Sequence, residues 1–190
     1  MPDPFRRRKL RYESGLEAAW LTVLIAHPDV FDIKEQQRVD FLHRGVMTYS
    51  VFDFVYDSVC GRRIAGAVKY LSDVDEALKA TLGSAADYAG DTFADDWKIF
   101  SEEGLSRTRI RNAGRIISCA GDFDFEAQDA LAEVLADFGP EIRVADCDLI
   151  LGDGQRGSRA AMALIQTGNL VIPKGERLGR ETVLRNLFTK

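Results

Sequence analysis

Acidic residues in two short segments have the side chains best suited to bind a metal ion. Asp122, Asp124 and Glu126 occupy positions 1, 3 and 5 of a twelve-residue count that ends at Glu133. An EF-hand also requires a glycine at position 6, where this chain has Ala127, so a true EF-hand is not expected. A looser site with hard oxygen ligands would favour Ca²⁺ or Mg²⁺. Its candidate ligands are Asp29, Asp32, Glu35, Asp122, Asp124 and Glu126.

The same acidic residues also suit helix starts. Asp32 precedes Glu35 by three residues, and Asp124 precedes Glu126 by two. An aspartate accepts hydrogen bonds from the free N–H groups at a helix N-terminus, and a glutamate in the first turn complements the helix dipole. Capping and cation binding therefore remain alternative roles for these residues.

A glycine-rich turn near the C-terminus is a second candidate for chemistry. Gly152, Gly154 and Gly157 have the spacing G-x-G-x-x-G, after a β-prone segment and before a helix candidate. In that context backbone amides face a phosphate, and Arg159 would add charge. The P-loop lysine is missing, and too little chain follows to build a doubly wound sheet. A phosphate loop and an ordinary turn at a helix start both stay open.

The charge balance restricts the partners. The net charge is −5 and the pI is about 5.1, which excludes nucleic-acid binding over the whole surface. The exception is a basic N-terminal arm, residues 1–13, which either docks on a partner or phosphate or is a solvated tail. Its cations include Arg6, Arg7, Arg8 and Lys9.

These residues must be positioned by a framework that contains an apparent repeat. The segments 31–42 and 123–135 both begin with Phe-Asp, and each follows an apolar helical run. Each copy predicts a helix, an acidic turn and a second helix. Ser14 and Glu17 have capping-box spacing at the first helix. The predicted helices are 14–26, one from Asp32 to Gly45, one or two in 62–82, a short one around Trp97 and Phe100, 105–119 and 124–138. Within 46–60 a helix that starts in the region Ser50–Asp53 is favoured, although propensity alone would allow a strand there.

The residue pattern changes from helical to partly β-prone after Gly139-Pro140, which is a clear helix stop. Short β-prone segments lie at 142–144, 149–151 and 170–172, with helix candidates at 158–166 and 179–188. The predicted fold is mainly α, a helical bundle with two similar helix–acidic turn–helix halves and a small C-terminal α/β appendage. The predicted domains are the arm 1–13, a helical domain 14–139 and the appendage 140–190.

The segment Gly121–Glu126, with the amphipathic helix that runs to Asp137, resembles the TerB family of tellurite-resistance domains. The resemblance extends over about residues 14–139. It implies an all-helical fold of two similar halves, acidic loops that bind metal, and a role in stress responses and membrane-associated assemblies. The first loop, His27–Asp32, departs from the family's small, acidic, glycine-containing turn.

The remaining sequence favours a non-enzymatic, cytoplasmic protein. Cys60, Cys119 and Cys147 are widely spaced, which fits neither a disulfide framework nor a zinc site and indicates a reducing compartment. No apolar run is long enough to span a bilayer, and no Ser-His-Asp or Cys-His arrangement is evident. The leading hypothesis is an interaction or stress-response module with a protein partner. The alternatives are a nucleotide- or phosphate-binding protein that uses the turn 152–157, and an assembly subunit that docks through its basic arm.

Overall fold

The computed structural model describes residues 1–152 and 154–188. The chain divides into two compact units. The first unit contains Met1–Ile25 and Asp29–Ser106, and the second contains Ala26–Pro28 and Arg107–Lys190. The boundary predicted at Gly139-Pro140 therefore falls inside the second unit.

The fold class expected from the sequence is wrong. Helices make up 43% of the chain and strands 27%, and the described residues contain three β-sheets. The protein is therefore a mixed α/β protein, and neither the mainly α fold nor the all-helical bundle is present. The first copy of the apparent repeat is a strand, so the two copies differ in structure.

The first unit is built around a four-stranded sheet with the order β3-β4-β5-β6. The first three strands are antiparallel, and β5 and β6 run parallel, joined by the crossover helix α2. Its elements are β1 (Pro2–Asp3), β2 (Arg8–Lys9), α1 (Gly15–Ala26), β3 (Val30–His43), β4 (Val46–Ser58), β5 (Arg63–Val68), α2 (Glu76–Ala89) and β6 (Asp96–Phe100).

Burial along β3 and β4 explains why this region pairs as a hairpin. Val39 and Phe41 are buried and the intervening Asp40 is exposed, which is the alternation of a half-buried strand. Phe52 and Phe54 on β4 are also buried, on either side of Asp53. The helices predicted over Asp32–Gly45, within 46–60 and around Trp97 and Phe100 are wrong, because these segments form β3, β4 and β6. The first part of 62–82, also predicted as helix, forms strand β5.

The N-terminal arm is part of the first unit. β1 pairs with β2, and the Leu10 side chain is buried. Arg6 forms an ion pair with Asp3 at 2.8 Å and donates a 2.7 Å hydrogen bond to the Phe31 carbonyl oxygen. The prediction of a solvated tail is therefore wrong for these residues.

The second unit combines four helices with a three-stranded antiparallel sheet of order β7-β9-β8. Helix α6 packs against α3, α4 and α5 and is buried along most of its length. The elements are α3 (Arg107–Ala120), α4 (Phe125–Ala136), β7 (Glu141–Arg143), α5 (Val144–Leu151), α6 (Arg156–Gln166), β8 (Leu170–Val171) and β9 (Val183–Asn186).

Several local predictions are confirmed. Helices α1, α3, α4 and α6 lie where the periodicity placed them, and the stop at Gly139-Pro140 follows α4. The strand at 170–171 is also confirmed. Two predictions are wrong in this unit, since 149–151 lies in helix α5 and the expected helix at 179–188 contains strand β9.

Candidate functional site

The acidic residues of the second unit are paired with arginines from helix α6. Arg156 donates to Asp124 at 2.7 Å and to Glu126 at 2.9 Å, and Arg159 pairs with Asp122. Asp124 also accepts a 3.2 Å hydrogen bond from the Ala127 N–H as the N-cap of α4. The predicted capping role of Asp124 is confirmed.

The acidic residues of the first unit lie on or beside β3. Glu35 forms an ion pair with Arg8, and Asp32 lies 3.5 Å from the Lys34 ammonium. Within residues 1–152 and 154–188, no group of three or more His, Cys, Asp or Glu side chains is arranged to hold a metal ion. Cation binding by Asp29, Asp32, Glu35, Asp122, Asp124 and Glu126 stays a prediction.

The pairing of Asp124 makes the second unit sensitive to acid. The Arg156 hydrogen bond, aided by the Ala127 N–H, lowers the pKa of Asp124 from 3.8 to about 2. Because the folded pKa is lowered, the stabilisation is present above pH 3.8 and is lost as the pH falls towards 2. We expect Asp124→Ala to lower the thermal midpoint of the second unit at pH 7.

The measurement is thermal unfolding by circular dichroism for wild type and Asp124→Ala between pH 7 and pH 2. The difference in midpoint is expected to shrink below pH 3.8. Asp137→Ala, a change of the same kind just after α4, is the control. A difference in thermal midpoint between wild type and Asp124→Ala that stays the same from pH 7 to pH 2 would contradict a stabilising role of the charged Asp124 side chain.

The glycine-rich turn joins two helices that pack closely. It follows helix α5 instead of a strand, and Gly152 ends that helix with a left-handed φ of 67°. A Cβ atom on Gly157 would lie 1.9 Å from the backbone oxygen of Cys147. Asp153 lies outside the described residues. Helix termination therefore explains the glycine at position 152, and close helix packing explains the one at 157. The Arg159 side chain is already paired with Asp122. Phosphate binding by Gly152, Gly154, Gly157 and Arg159 stays a prediction.

Gly157→Ala is expected to destabilise the second unit by about 3 kcal/mol, because overpacking against a backbone cannot be relieved by a rotamer change. The measurement is hydrogen exchange of the peptides that cover α5 and α6. Gly114→Ala is the matched control, since that helical glycine has open space around it and the change should stabilise the unit by about 0.5–1 kcal/mol. If the α5 and α6 peptides of Gly157→Ala exchange hydrogen as slowly as those of the wild type, the role of Gly157 in helix packing would be contradicted.

A different group of chemically active side chains lies in the first unit, around Asp53. The β4–β5 ladder ends where Phe54 faces Gly66, whereas β5 continues to Val68 along β6. The Asp53 carboxylate lies at this divergence and accepts a 2.7 Å hydrogen bond from the Val68 N–H. It therefore takes the place of a backbone acceptor at the open end of the sheet.

Glu17 contributes a second carboxylate, whose negative charge acts on Asp53. It is only 6% exposed, in the first turn of α1, and accepts 2.9 Å hydrogen bonds from the Glu13 N–H and the Ser14 hydroxyl. The predicted capping box is thus confirmed. A carboxylate has about four acceptor positions, so these two bonds leave capacity for another ligand.

The charges of Glu17 and Lys69 both act on the pKa of Asp53. Burial raises the pKa of the Asp53 carboxyl above 3.8, and the nearby negative charge of Glu17 raises it further. The Val68 hydrogen bond and the positive charge of Lys69 act in the opposite direction. Lys69 directly follows β5, and its side chain is exposed. We call Glu17 and Asp53 the carboxylate pair.

Gln36 lies on the neighbouring strand and is strained. Its φ is 52°, a value that non-glycine residues rarely adopt. Its side-chain amide approaches an Asp53 oxygen at 3.5 Å. Strain of this kind persists only where the surrounding structure enforces it, and it concentrates at functional sites.

Beside this group lies a cleft of about 700 Å³, which we call the basic cleft. Four of its lining residues are cationic and two are acidic, and Gln36 is shared with the group around Asp53. The lining residues are Arg8, Lys9, Arg11, Glu13, Lys34, Glu35, Gln36 and Gln37.

Sequence reasoning missed this group. It gave Glu17 a capping role only and placed Asp53 and Lys69 on helices. One signal was available, because Asp53 lies between the apolar Phe52 and Phe54 and Glu17 lies on the apolar helix α1. Ionisable residues in such positions are informative, since they are rarely buried without a reason.

Compared with models of protein families and with curated proteins, the chain matches none. These comparisons neither support nor refute the resemblance to TerB domains. Among the helices of the described residues, none is long and apolar enough to cross a membrane.

Proposed function

We propose that the first unit hydrolyses phosphodiester bonds of nucleic acid with the help of a divalent cation. The observation that carries this proposal is the carboxylate pair at the open end of a sheet, with Lys69 acting on the same carboxylate. Two carboxylates and a cation whose charges act on one another suit a reaction in which negative charge accumulates on phosphate oxygens.

The donor set favours Mg²⁺ or Mn²⁺. Mg²⁺ is commonly bound through one or two carboxylates together with water and substrate phosphate oxygens, whereas Ca²⁺ takes six to eight oxygen ligands. Two carboxylates are therefore sufficient for Mg²⁺, although no larger ligand group occurs in the described part of the chain. When bound, such a cation lowers the pKa of water and neutralises phosphate charge.

The residues of this chain have separable roles in the proposal. Glu17 and Asp53 supply the oxygen ligands, and the Val68 N–H fixes the direction of the Asp53 carboxylate. Lys69 supplies a point charge for a phosphate oxygen. Gln36 orients the second Asp53 oxygen from β3.

The basic cleft supports nucleic acid as the substrate. Lys9, Arg11 and Lys34 are exposed along it, close to Gln36. Such cations supply most of the non-specific affinity of a protein for a nucleic-acid backbone. The overall charge of −5 does not oppose this, because the cations are concentrated beside the carboxylate pair.

The interaction or stress-response role drawn from the TerB resemblance stays a prediction, as do the phosphate-binding and arm-docking alternatives. None of these three alternatives predicts cleavage that depends on Asp53, so a cleavage assay distinguishes them from the proposal.

The test is cleavage of supercoiled plasmid and of single-stranded DNA and RNA by the full chain, with Mg²⁺, Mn²⁺ or EDTA. We expect cleavage with Mg²⁺ or Mn²⁺ and none with EDTA. Lys69→Ala should reduce the rate about 100-fold, the usual effect of removing one charge-stabilising group. Lys98→Ala is the matched control, because Lys98 is a half-exposed lysine on β6 of the same unit. Cleavage by Lys69→Ala at the wild-type rate, or a lack of cleavage with every cation, would contradict the proposal.

A further inference from the structure

The outer face of helix α3 carries arginines and no acidic residue. The helix contains four arginines and neither aspartate nor glutamate. Its buried residues Ala113, Ile116 and Ala120 form one face. At 100° per residue, the opposite face is formed by Arg107, Arg111, Gly114, Arg115 and Ser118, all of which are exposed. We call this face the arginine stripe.

The charges of the arginine stripe are not neutralised within the second unit. In the part of the chain that the structure describes, no ion pair joins Arg107 or Arg111 to a carboxylate, and Arg115 donates a 3.3 Å hydrogen bond to the Leu178 carbonyl oxygen. By contrast, Arg143, Arg156 and Arg180 each form an ion pair with an aspartate. The stripe therefore concentrates positive charge in a unit whose other arginines are largely compensated.

The centre of the stripe is open. Apart from its chain neighbours and the backbone of its own helix, no atom lies within 4 Å of the position where a Cβ on Gly114 would be. Glycine in a helix interior weakens the helix, and here it lets a ligand approach the backbone between Arg111 and Arg115. Arginines spaced by one helical turn present forked donors at about 6 Å intervals, a spacing suited to successive phosphates.

We infer that the arginine stripe binds the phosphate backbone of duplex nucleic acid independently of base sequence. The choice of ligand rests on the proposed function of the first unit. The binding itself needs neither Asp53 nor a divalent cation. Arginine without competing carboxylates matches the charge of a polyphosphate, and contacts to phosphates carry no sequence information.

The test measures the affinity of the full chain for two 30-base-pair DNA duplexes of unrelated sequence, in EDTA, over a series of salt concentrations. The Asp53→Asn background prevents cleavage. Arg107→Ala/Arg111→Ala should reduce the slope of log affinity against log salt by about two for both duplexes, one for each lost phosphate contact.

The matched control is Arg143→Ala/Arg185→Ala, which removes the same charge from exposed positions on the sheet of the same unit. It should leave the slope unchanged. Gly114→Glu adds a negative charge to the stripe without disturbing packing and should also weaken binding. Circular dichroism confirms that each variant is folded.

An unchanged slope in the stripe variant, or an equal change in the control, would overturn the inference. Stripe-dependent binding to phosphatidylserine vesicles without stripe-dependent duplex binding would assign the surface to membranes and would overturn it as well. The two proposals fail separately. If the stripe variant binds DNA as the wild type does, cleavage that depends on Asp53 can still be observed. If the wild type does not cleave, the salt dependence of DNA binding can still be measured.

Discussion

Asp53→Asn is expected to stabilise the first unit while abolishing cleavage. Burial and Glu17 raise the pKa of Asp53, so the folded state holds the proton more tightly than the unfolded chain does. The associated stability is fully present below the unfolded pKa and is lost as the pH rises through the folded pKa. At pH 7 the charged carboxylate therefore destabilises the fold, and a neutral amide relieves this.

The expected gain is about 1 kcal/mol in the free energy of unfolding, a common size for a single stabilising substitution. The cleavage rate should fall at least about 100-fold, because removing a cation ligand forfeits several kcal/mol of charge stabilisation. Both tryptophans, Trp20 and Trp97, lie in the first unit, so urea unfolding followed by tryptophan fluorescence reports on that unit alone.

The control is Asp57→Asn on the same strand. A hydrogen bond from Arg63 lowers the pKa of Asp57, so its stabilisation is present above the unfolded pKa and lost as the pH falls. The two variants should therefore change stability in opposite directions at pH 7. An Asp53→Asn protein that is less stable than wild type, or that still cleaves, would count against the assigned role.

Asp148→Ala should destabilise the second unit by about 3 kcal/mol. Asp148 is 7% exposed on α5. It accepts hydrogen bonds from the Ser158 N–H at 2.6 Å, the Ser158 hydroxyl at 2.7 Å and Arg180 at 2.8 Å. Removing the carboxylate leaves the buried Ser158 N–H at the start of α6 without its acceptor, which costs more than the net value of the bond.

Hydrogen exchange of the α5 and α6 peptides measures this effect. Asp146→Ala is the control on the same helix, since its ion pair with Arg143 is partly exposed to solvent and should contribute less than about 1 kcal/mol. Equal losses in the two variants would show that burial of Asp148 is not the cause.

The helices were predictable because their signals are local. The Ser14–Glu17 capping box, the Asp124 N-cap and the stop at Gly139-Pro140 each lie within a few residues of the helix end that they specify. The β3–β4 hairpin was missed because Asp32 and Glu35 imitate a helix start, while the pairing of β3 with β4 depends on contacts between segments. Tertiary packing overrode the local preference.

The carboxylate pair could be predicted only in part. Glu17 and Asp53 stand out as ionisable residues among apolar neighbours, but only the sheet brings α1, β4 and the end of β5 together. The strain at Gln36 leaves no mark in the sequence, because glutamine is ordinary in a strand and its φ of 52° follows from the structure around it.

Iron-directed cleavage of the protein backbone tests the central claim most directly. Fe²⁺ with ascorbate and hydrogen peroxide produces hydroxyl radicals where a divalent cation binds, and mass spectrometry locates the cuts. We expect cuts near Glu17, Asp53 and Val68–Lys69, suppressed by excess Mg²⁺ and absent in Asp53→Asn. Cuts confined to residues 29–35 or 122–126 would contradict this account and support the cation site predicted from the acidic segments.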